Sequence, residues 1–203
     1  PNFLKGRTLI GVAKASRANI SHDFPDLVIS ASRRTATVAL WIKKQSPQTK
    51  IIQLLHPDVS RANMQKFDRI FMPEHDRHKQ AGSNCVYTIG SPHRVSPQAL
   101  SEAKDKWAKV FADMPRPLTA VIVGGSIKGK PFTLDNAREL GRQIRRLKER
   151  IGGSVLITDS KRTGNEAEKV IMQEIKDFPV HSYLWGSKDA NPIMGYWAWA
   201  DNI

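Results

Sequence analysis

Residues 118–151 constrain the fold more than any other part of the chain. They open with an apolar run rich in β-branched residues, 118–123, which ends at two glycines and predicts a buried strand. A loop over 125–131 follows, and apolar residues then recur at helical spacing over 134–151, behind a capping residue, Thr133. The stretch therefore predicts a strand, a glycine loop and a helix in succession, which is the unit that builds parallel α/β sheets.

The glycine loop is the first candidate for a binding site. A strand that leads through glycines to a helix N-terminus presents backbone N–H groups to an anion such as phosphate. Gly124, Gly125 and Ser126 open the loop, and Lys128 and Lys130 add positive charge. The alternative is that the glycines only permit a tight turn between strand and helix. The spacing matches neither G-x-x-x-x-G-K-[ST] nor G-x-G-x-x-G, so the loop indicates neither ATP nor NAD, and we predict no cofactor.

Short apolar strands alternate with helical segments along the rest of the chain. The further predicted strands are 27–31, 50–55, 67–72, 85–89, 154–158 and 180–185. Helices are predicted to begin at Pro97, at a capping box formed by Thr163 and Glu166, and at Asn191-Pro192. Strands that are apolar on both faces and separated by helices predict an α/β fold with parallel sheets covered by helices on both faces.

Two prolines, Pro115 and Pro117, mark the best linker candidate in the chain. Prolines two residues apart favour a stiff, extended connection. We therefore predict two Rossmann-like domains, residues 1–114 and 115–203, of which the second binds phosphate or a nucleotide. In open parallel sheets the ligand lies beyond the carboxyl ends of the strands, and the loops predicted there are rich in small polar and basic residues.

The charge of the chain favours an anionic partner. Lys and Arg outnumber Asp and Glu by 32 to 19, which gives a net charge of +13. A phosphorylated ligand, a nucleic acid or a membrane surface would suit this charge. The basic residues are spread along the chain, so nucleic acid is the least favoured of the three. No apolar run approaches the roughly 20 residues that span a bilayer, and we expect a cytoplasmic protein, with a peripheral membrane location left open.

Five segments carry a resemblance to a known family. They are PDLVISASRRTA at 25–36, FDRIFMPEHD at 67–76, PRPLTAVIVGGSIKG at 115–129, GGSVLITDSKRTGNEAE at 152–168 and NPIMGYWAWAD at 191–201. Together they resemble the mitochondrial-fission, elongated-mitochondria family and its bacterial relatives. That family is similar to the GT-B glycosyltransferases, in which two Rossmann-like domains face each other across a ligand cleft.

The resemblance implies two functions between which the sequence does not choose. The first is a GT-B-like protein that binds a nucleotide-sugar or related phosphorylated ligand in the interdomain cleft, as a metal-independent glycosyltransferase. The second is a non-catalytic interaction or scaffold protein of membrane dynamics, with a protein or a membrane surface as partner. Family members continue past the equivalent of Asp201 into a further strand. We therefore expect the second domain to be incomplete, and homo-oligomerisation through an open sheet edge stays open.

The resemblance also assigns site residues. Glu74 and His75 are the expected catalytic pair, as base for an acceptor hydroxyl; the alternative is that Glu74 pairs with Arg77. His75 and His78 are three residues apart, but no third ligand stands out, so we predict no metal site. The expected ligand- and phosphate-binding residues are Arg33, Arg34, Thr35, Asp76, Gly124, Gly125, Ser126, Lys128, Thr158, Ser160, Arg162, Thr163 and Asn191.

Overall fold

The computed structural model describes residues 6, 8–20, 23–77 and 82–203. Contacts divide the chain into two compact units, Pro1–His93 and Arg94–Ile203, which are called unit 1 and unit 2. Each unit contains one parallel sheet with helices between its strands, so the predicted α/β class is confirmed. No helix in the described ranges is long and apolar enough to cross a membrane.

Unit 1 is built on a four-stranded sheet in the order β1-β2-β3-β4, with every neighbouring pair parallel. Its strands are β1 Leu27–Ala31, β2 Lys50–Leu54, β3 Arg69–Pro73 and β4 Cys85–Thr88. Its helices are α1 Lys14–Ala18, α2 Ser32–Gln45 and α3 Arg61–Met64, and a single 3-10 turn covers Glu74–Asp76.

The core of unit 1 lies on one face of this sheet. Ala36, Ala39 and Leu40 of α2 pack against the buried side chains of Ile51 and Ile70. Side chains of a strand point alternately to the two faces, so the neighbours of these core residues point the other way. On that opposite face the apolar side chains of Leu27, Ile29 and Val86 are exposed.

Unit 2 is built on a three-stranded parallel sheet in the order β5-β6-β7. Its elements are α4 Pro97–Phe111, β5 Leu118–Ile122, α5 Leu134–Ile151, β6 Ser154–Thr158, α6 Asn165–Ile175, β7 Val180–Tyr183 and α7 Ile193–Trp199. After α7, Asn202 pairs in parallel with Thr119 of β5, which pairs on its other side with Val155 of β6. The segment after α7 therefore lies on the opposite side of β5 from β6, and β5 is an inner strand at this point.

Helices cover both faces of the unit 2 sheet. Val155 and Ile157 of β6 belong to the core that β6 shares with α5 and α6. Leu156, between them, belongs to a second core with Phe111 of α4 and Tyr196 of α7. Adjacent residues of a strand point to opposite faces, so β6 is buried from both sides and the unit has three layers.

The proline-rich segment is part of unit 2. The hydroxyl of Ser154 donates to the carbonyl of Pro115 at 2.7 Å, and Arg116 forms an ion pair with Asp201. Helix α4 precedes this segment and packs on α7. The division between the units therefore comes after His93, ahead of the boundary predicted at 114, because α4 packs with the second sheet.

A buried ammonium group closes the amino end of the unit 2 sheet. Lys148, near the end of α5, is 1% exposed. Its Nζ donates to the carbonyls of Pro117 and Ser154, each at 3.2 Å, and to the hydroxyl of Thr119 at 3.3 Å. Three acceptors match the three protons of an ammonium group, which offsets much of the cost of burying it, although burial lowers the pKa of Lys148.

Tyr196 anchors α7 to the middle of the same sheet. Its buried hydroxyl lies 3.2 Å from the carbonyl of Ile157 and 2.8 Å from Nδ1 of His181. The His181 ring packs edge-on against Phe111, with ring centroids 5.0 Å apart. Burial among these aromatic rings lowers the pKa of His181, so the neutral form is favoured in the folded protein.

We expect His181 to make the protein less stable in acid. Below the ordinary pKa of 6.5 the unfolded chain takes up a proton that the folded protein resists, so the free energy of unfolding falls as the pH is lowered. Between pH 7.5 and 5.5 the loss from this one group reaches at most about 1.4 kcal/mol. Urea unfolding at both pH values checks this in the wild type, in His181→Gln and in His93→Gln, a control at an exposed position. Equal pH slopes in the wild type and His181→Gln would contradict the expectation.

Candidate functional site

Three loops lie at the carboxyl edge of the unit 2 sheet, and hydrogen bonds join each to the next. The amide of Ser126, after β5, donates to the carbonyl of Arg162, after β6, at 3.0 Å. The amide of Trp185, after β7, donates to the Asp159 carboxylate at 2.6 Å. The predicted residues of the loops after β5 and β6 are therefore brought together at one edge of the sheet.

Thr163 makes the central contact between the first two loops. Its buried hydroxyl donates to the carbonyl of Gly124 at 2.5 Å and accepts from the amide of Ser160 at 3.1 Å. The prediction that Thr163 caps the next helix is wrong: α6 begins at Asn165, with Gly164 as its N-cap and no side-chain cap. The Thr163 hydroxyl instead bonds to the other loop, and a local sequence pattern does not reveal such a contact.

Gly125 is required by the close approach of these loops. A Cβ atom at this position would collide with the backbone of Arg162 and Thr163. A Cβ atom at Gly124 would meet nothing within 4 Å. Gly125 is therefore needed for the packing of one loop on the other, which is a different role from the tight turn noted as the alternative, and the role of Gly124 stays open.

Backbone donors are available where the two loops meet. Within the described ranges, the amides of Gly124 and Gly125 have no hydrogen-bond acceptor. The first turn of α6, which follows the second loop directly, has no side-chain cap. The N-terminus of α5 is closed instead, because Thr133 and Asn136 cap each other at 3.0 and 3.1 Å. Of the two helix N-termini that follow these loops, only that of α6 is thus without a side-chain cap.

Two cations belong to the same two loops. Lys128 and Arg162 are exposed, and neither has an acidic partner in the part of the chain that the structure describes. Thr158, by contrast, is buried in β6, and its backbone carbonyl accepts from the amide of Val123 at 2.8 Å. Asn191 lies further along, where its side chain accepts from the amide of Ile193 at the start of α7. No hydrogen bond among the described residues joins Asn191 to the loops after β5 and β6.

The predicted basic loop of unit 1 is the first turn of a helix. Arg33, Arg34 and Thr35 belong to α2, which begins at Ser32, directly after β1. Both arginines are exposed, and the Thr35 hydroxyl donates back to the carbonyl of Ala31 at 2.5 Å. No side chain caps this helix, and its first turn contains the two cations Arg33 and Arg34. The prediction of a loop is wrong because the chain turns within one residue, at Ser32, with a φ of 64°.

Gln53 supports this turn, and the sequence analysis missed it. This fully buried side chain donates to the carbonyls of Ser32 at 3.2 Å and Leu54 at 2.7 Å, and accepts from the hydroxyl of Ser30 at 2.5 Å. A left-handed conformation at a residue with a Cβ persists only where its surroundings hold it. The sequence did contain a signal for it, because Gln53 interrupts the apolar residues of the stretch KIIQLL at 50–55.

The non-glycine residues with positive φ in the described chain share one location. They are Ser32, Leu55 and Asp58, with φ values of 64°, 66° and 52°. All three follow the carboxyl ends of β1 or β2. Strained backbone tends to occur at ligand-binding edges, which makes this edge the candidate site of unit 1.

Glu74 and His75 have different surroundings in the turn after β3. The Glu74 carboxylate accepts two hydrogen bonds from Arg77, at 2.6 and 2.8 Å, and these lower the pKa of Glu74. A carboxylate held in this way is a weaker base. The His75 side chain is 70% exposed, with Nε2 3.9 Å from the nearest carboxylate oxygen of Asp76. The alternative noted for Glu74, a pairing with Arg77, is therefore the arrangement that the structure shows.

Among the described residues, no group of three or more His, Cys, Asp or Glu side chains could hold a metal ion. His78, considered above with His75, lies outside the described residues.

The comparison with known proteins identifies the family. Residues 5–203 match the family described as Mitochondrial fission ELM1. The chain belongs to this family. It is 27% identical to the mitochondrial fission protein ELM1 of Arabidopsis thaliana, over 94% of this chain and 49% of that protein. A second relative, the uncharacterized protein RP120 of Rickettsia prowazekii (strain Madrid E), is 24% identical over 84% of this chain and 56% of its own length.

The chain therefore spans about half the length of these two curated relatives. No solved structure matches it significantly.

The two adjacent glycines provide a matched test of the loop contact. We expect Gly125→Ala to lower the free energy of unfolding by more than about 2 kcal/mol. The new methyl group would collide with the backbone of Arg162 and Thr163, which can move only together with its loop. Gly124→Ala should change it by less than about 1 kcal/mol, because its Cβ meets open space. Urea denaturation of both variants measures the difference. Equal effects would show that the loops do not pack as described.

Proposed function

We propose that this ELM1-family chain is a GT-B-like protein that binds a nucleotide-sugar or related phosphorylated ligand through the carboxyl-edge loops of unit 2. The observation that carries the proposal is the group of unsatisfied amides at Gly124 and Gly125, next to the uncapped N-terminus of α6. Phosphate oxygens are suitable acceptors for such donors. The cations of Lys128 and Arg162, which lack acidic partners in the described chain, would balance the charge of a diphosphate.

The same proposal includes a metal-independent glycosyl transfer. In that reaction the acceptor hydroxyl loses its proton to a base, its oxygen bonds to the anomeric carbon, and the bond from that carbon to the diphosphate breaks. His75 is the candidate base, while Glu74, held by Arg77, would orient the turn. The amides and cations of unit 2 would stabilise the departing diphosphate without a metal ion.

A second candidate function is that of an interaction protein without chemistry. The observation that favours it is the apolar face of the unit 1 sheet, where Leu27, Ile29 and Val86 are exposed. Exposed apolar surface of this kind often marks a protein contact. The Arabidopsis relative is named for mitochondrial fission, a process at a membrane, and a net charge of +13 would suit a peripheral site at an anionic surface.

Thermal unfolding with nucleotides tests the first candidate. A nucleoside diphosphate or nucleotide-sugar at 100 times its dissociation constant should add about 2.7 kcal/mol to the free energy of unfolding. Arg162→Ala and Lys128→Ala should each lose most of that gain at the same ligand concentration. Arg142→Ala, which removes an equal charge from an exposed position on α5, is the control.

Two results would contradict the proposed function. One is the absence of a shift with any nucleotide or nucleotide-sugar, which would favour the interaction protein. The other is an equal loss in Arg142→Ala and Arg162→Ala, which would assign the effect to overall charge.

A further inference from the structure

A cavity of about 410 Å³ lies beyond the carboxyl end of β7. Ligand pockets in proteins commonly range from about 300 to 1,000 Å³, so it has room for one ring and its substituents. Nothing in the sequence analysis pointed to it. It is lined by Asn165, Glu168, Lys169, Ser182, Leu184, Trp185 and Ser187.

Trp185 presents an aromatic surface on a fixed backbone. Its amide donates to the Asp159 carboxylate at 2.6 Å, which holds the loop after β7 against the loop after β6. Its side chain is nevertheless 59% exposed. A large aromatic ring held at its backbone and open to solvent is a suitable surface for the apolar face of a ligand ring.

Glu168 supplies an acceptor that has no donor. Its carboxylate is half-buried, and no hydrogen bond or ion pair reaches it from any described residue. The neighbouring cation, Lys169, is paired with Glu166 at 2.9 Å instead. Burial and the nearby Asp159 carboxylate raise the pKa of Glu168. An ionised carboxylate can only accept hydrogen bonds, so a ligand that donates them would suit this side of the cavity.

The remaining polar groups suit hydroxyls better than phosphate. Ser182, Ser187 and Asn165 offer neutral side chains that both donate and accept. Two carboxylates, Glu168 and Asp159, would repel a phosphate from this position, and the charge of Lys169 in the same wall is already paired with Glu166. An aromatic surface opposite acceptors and neutral amide or hydroxyl groups suits a ring that carries several hydroxyls.

The cavity adjoins the proposed phosphate site through a single loop. Residues 159–165 join β6 to α6. Arg162 and Thr163 of this loop contact the glycine loop on one side, and Asp159 binds the Trp185 loop on the other. Asn165, at the end of the loop, lies in the wall of the cavity.

We propose that this cavity binds a polyhydroxylated ring, the ribose or the pyranose, of the phosphorylated ligand. Trp185 stacks on the ring, and the Glu168 carboxylate accepts from its hydroxyls. This inference rests on the proposed function, because the phosphates of the same ligand lie at the glycine loop.

Saturation-transfer NMR with neutral rings tests the cavity alone. The probes are a nucleoside and a methyl pyranoside, neither of which carries phosphate, and the corresponding nucleoside diphosphate is measured in parallel. We expect Trp185→Ala and Glu168→Ala each to weaken binding of the neutral ring about tenfold. Glu149→Ala, which removes a carboxylate from an exposed position on α5, should leave that binding unchanged.

The outcomes separate the two proposals. Preference for the nucleoside assigns the cavity to ribose, and preference for the pyranoside assigns it to the sugar. Absence of binding by both neutral rings, or binding unaffected by Trp185→Ala and Glu168→Ala, overturns the ring site even where the nucleoside diphosphate binds. Binding of a neutral ring without any binding of nucleoside diphosphate overturns the proposed function instead. Circular dichroism of each variant establishes that it is folded.

Discussion

The hydrogen bond from the Thr163 hydroxyl to the Gly124 carbonyl holds together the part of the molecule on which the functional argument depends. It joins the loops after two neighbouring strands, and it works only because Gly125 has no side chain to separate them. With the loops in contact, the Gly124 and Gly125 amides lie near the uncapped first turn of α6. A site of this kind is preorganised, since its donors are held by the backbone before any anion arrives.

The two ends of the unit 2 sheet have different roles. At the amino ends of the strands, Lys148 is buried with three acceptors, and Arg116 and Asp201 form an ion pair beside it. At the carboxyl ends, by contrast, donors, cations and an acceptor have no partner in the described chain. Satisfied buried groups stabilise the fold, whereas groups left unsatisfied at the surface are available to a ligand. Substitutions at the two ends should therefore be separable in their effects on stability and on binding.

The strands were predictable from the sequence because short apolar runs between glycines, prolines and polar turns are a local signal. Each strand, β1 to β7, in the part of the chain that the structure describes begins within two residues of its predicted start. The features that the sequence analysis missed all depend on tertiary contacts. Thr163 follows a capping pattern but bonds to another loop, and α4 packs forward on α7 rather than with the first sheet. Gln53 and the Trp185 cavity were missed because a buried amide or a hollow surface depends on neighbours distant in sequence.

The most direct test of the account is a nuclear magnetic resonance titration of the ¹⁵N-labelled chain with a nucleoside diphosphate. The account predicts that the largest shifts belong to the amides of Gly124 and Gly125 and to the first turn of α6, with Thr163 among the next affected. Largest shifts at Arg142 and Arg146, two exposed arginines of α5, would show that the anion is held by surface charge and would contradict the account. Largest shifts at Thr133 and Asn136 would contradict it as well, because they would place the anion at the N-terminus of α5.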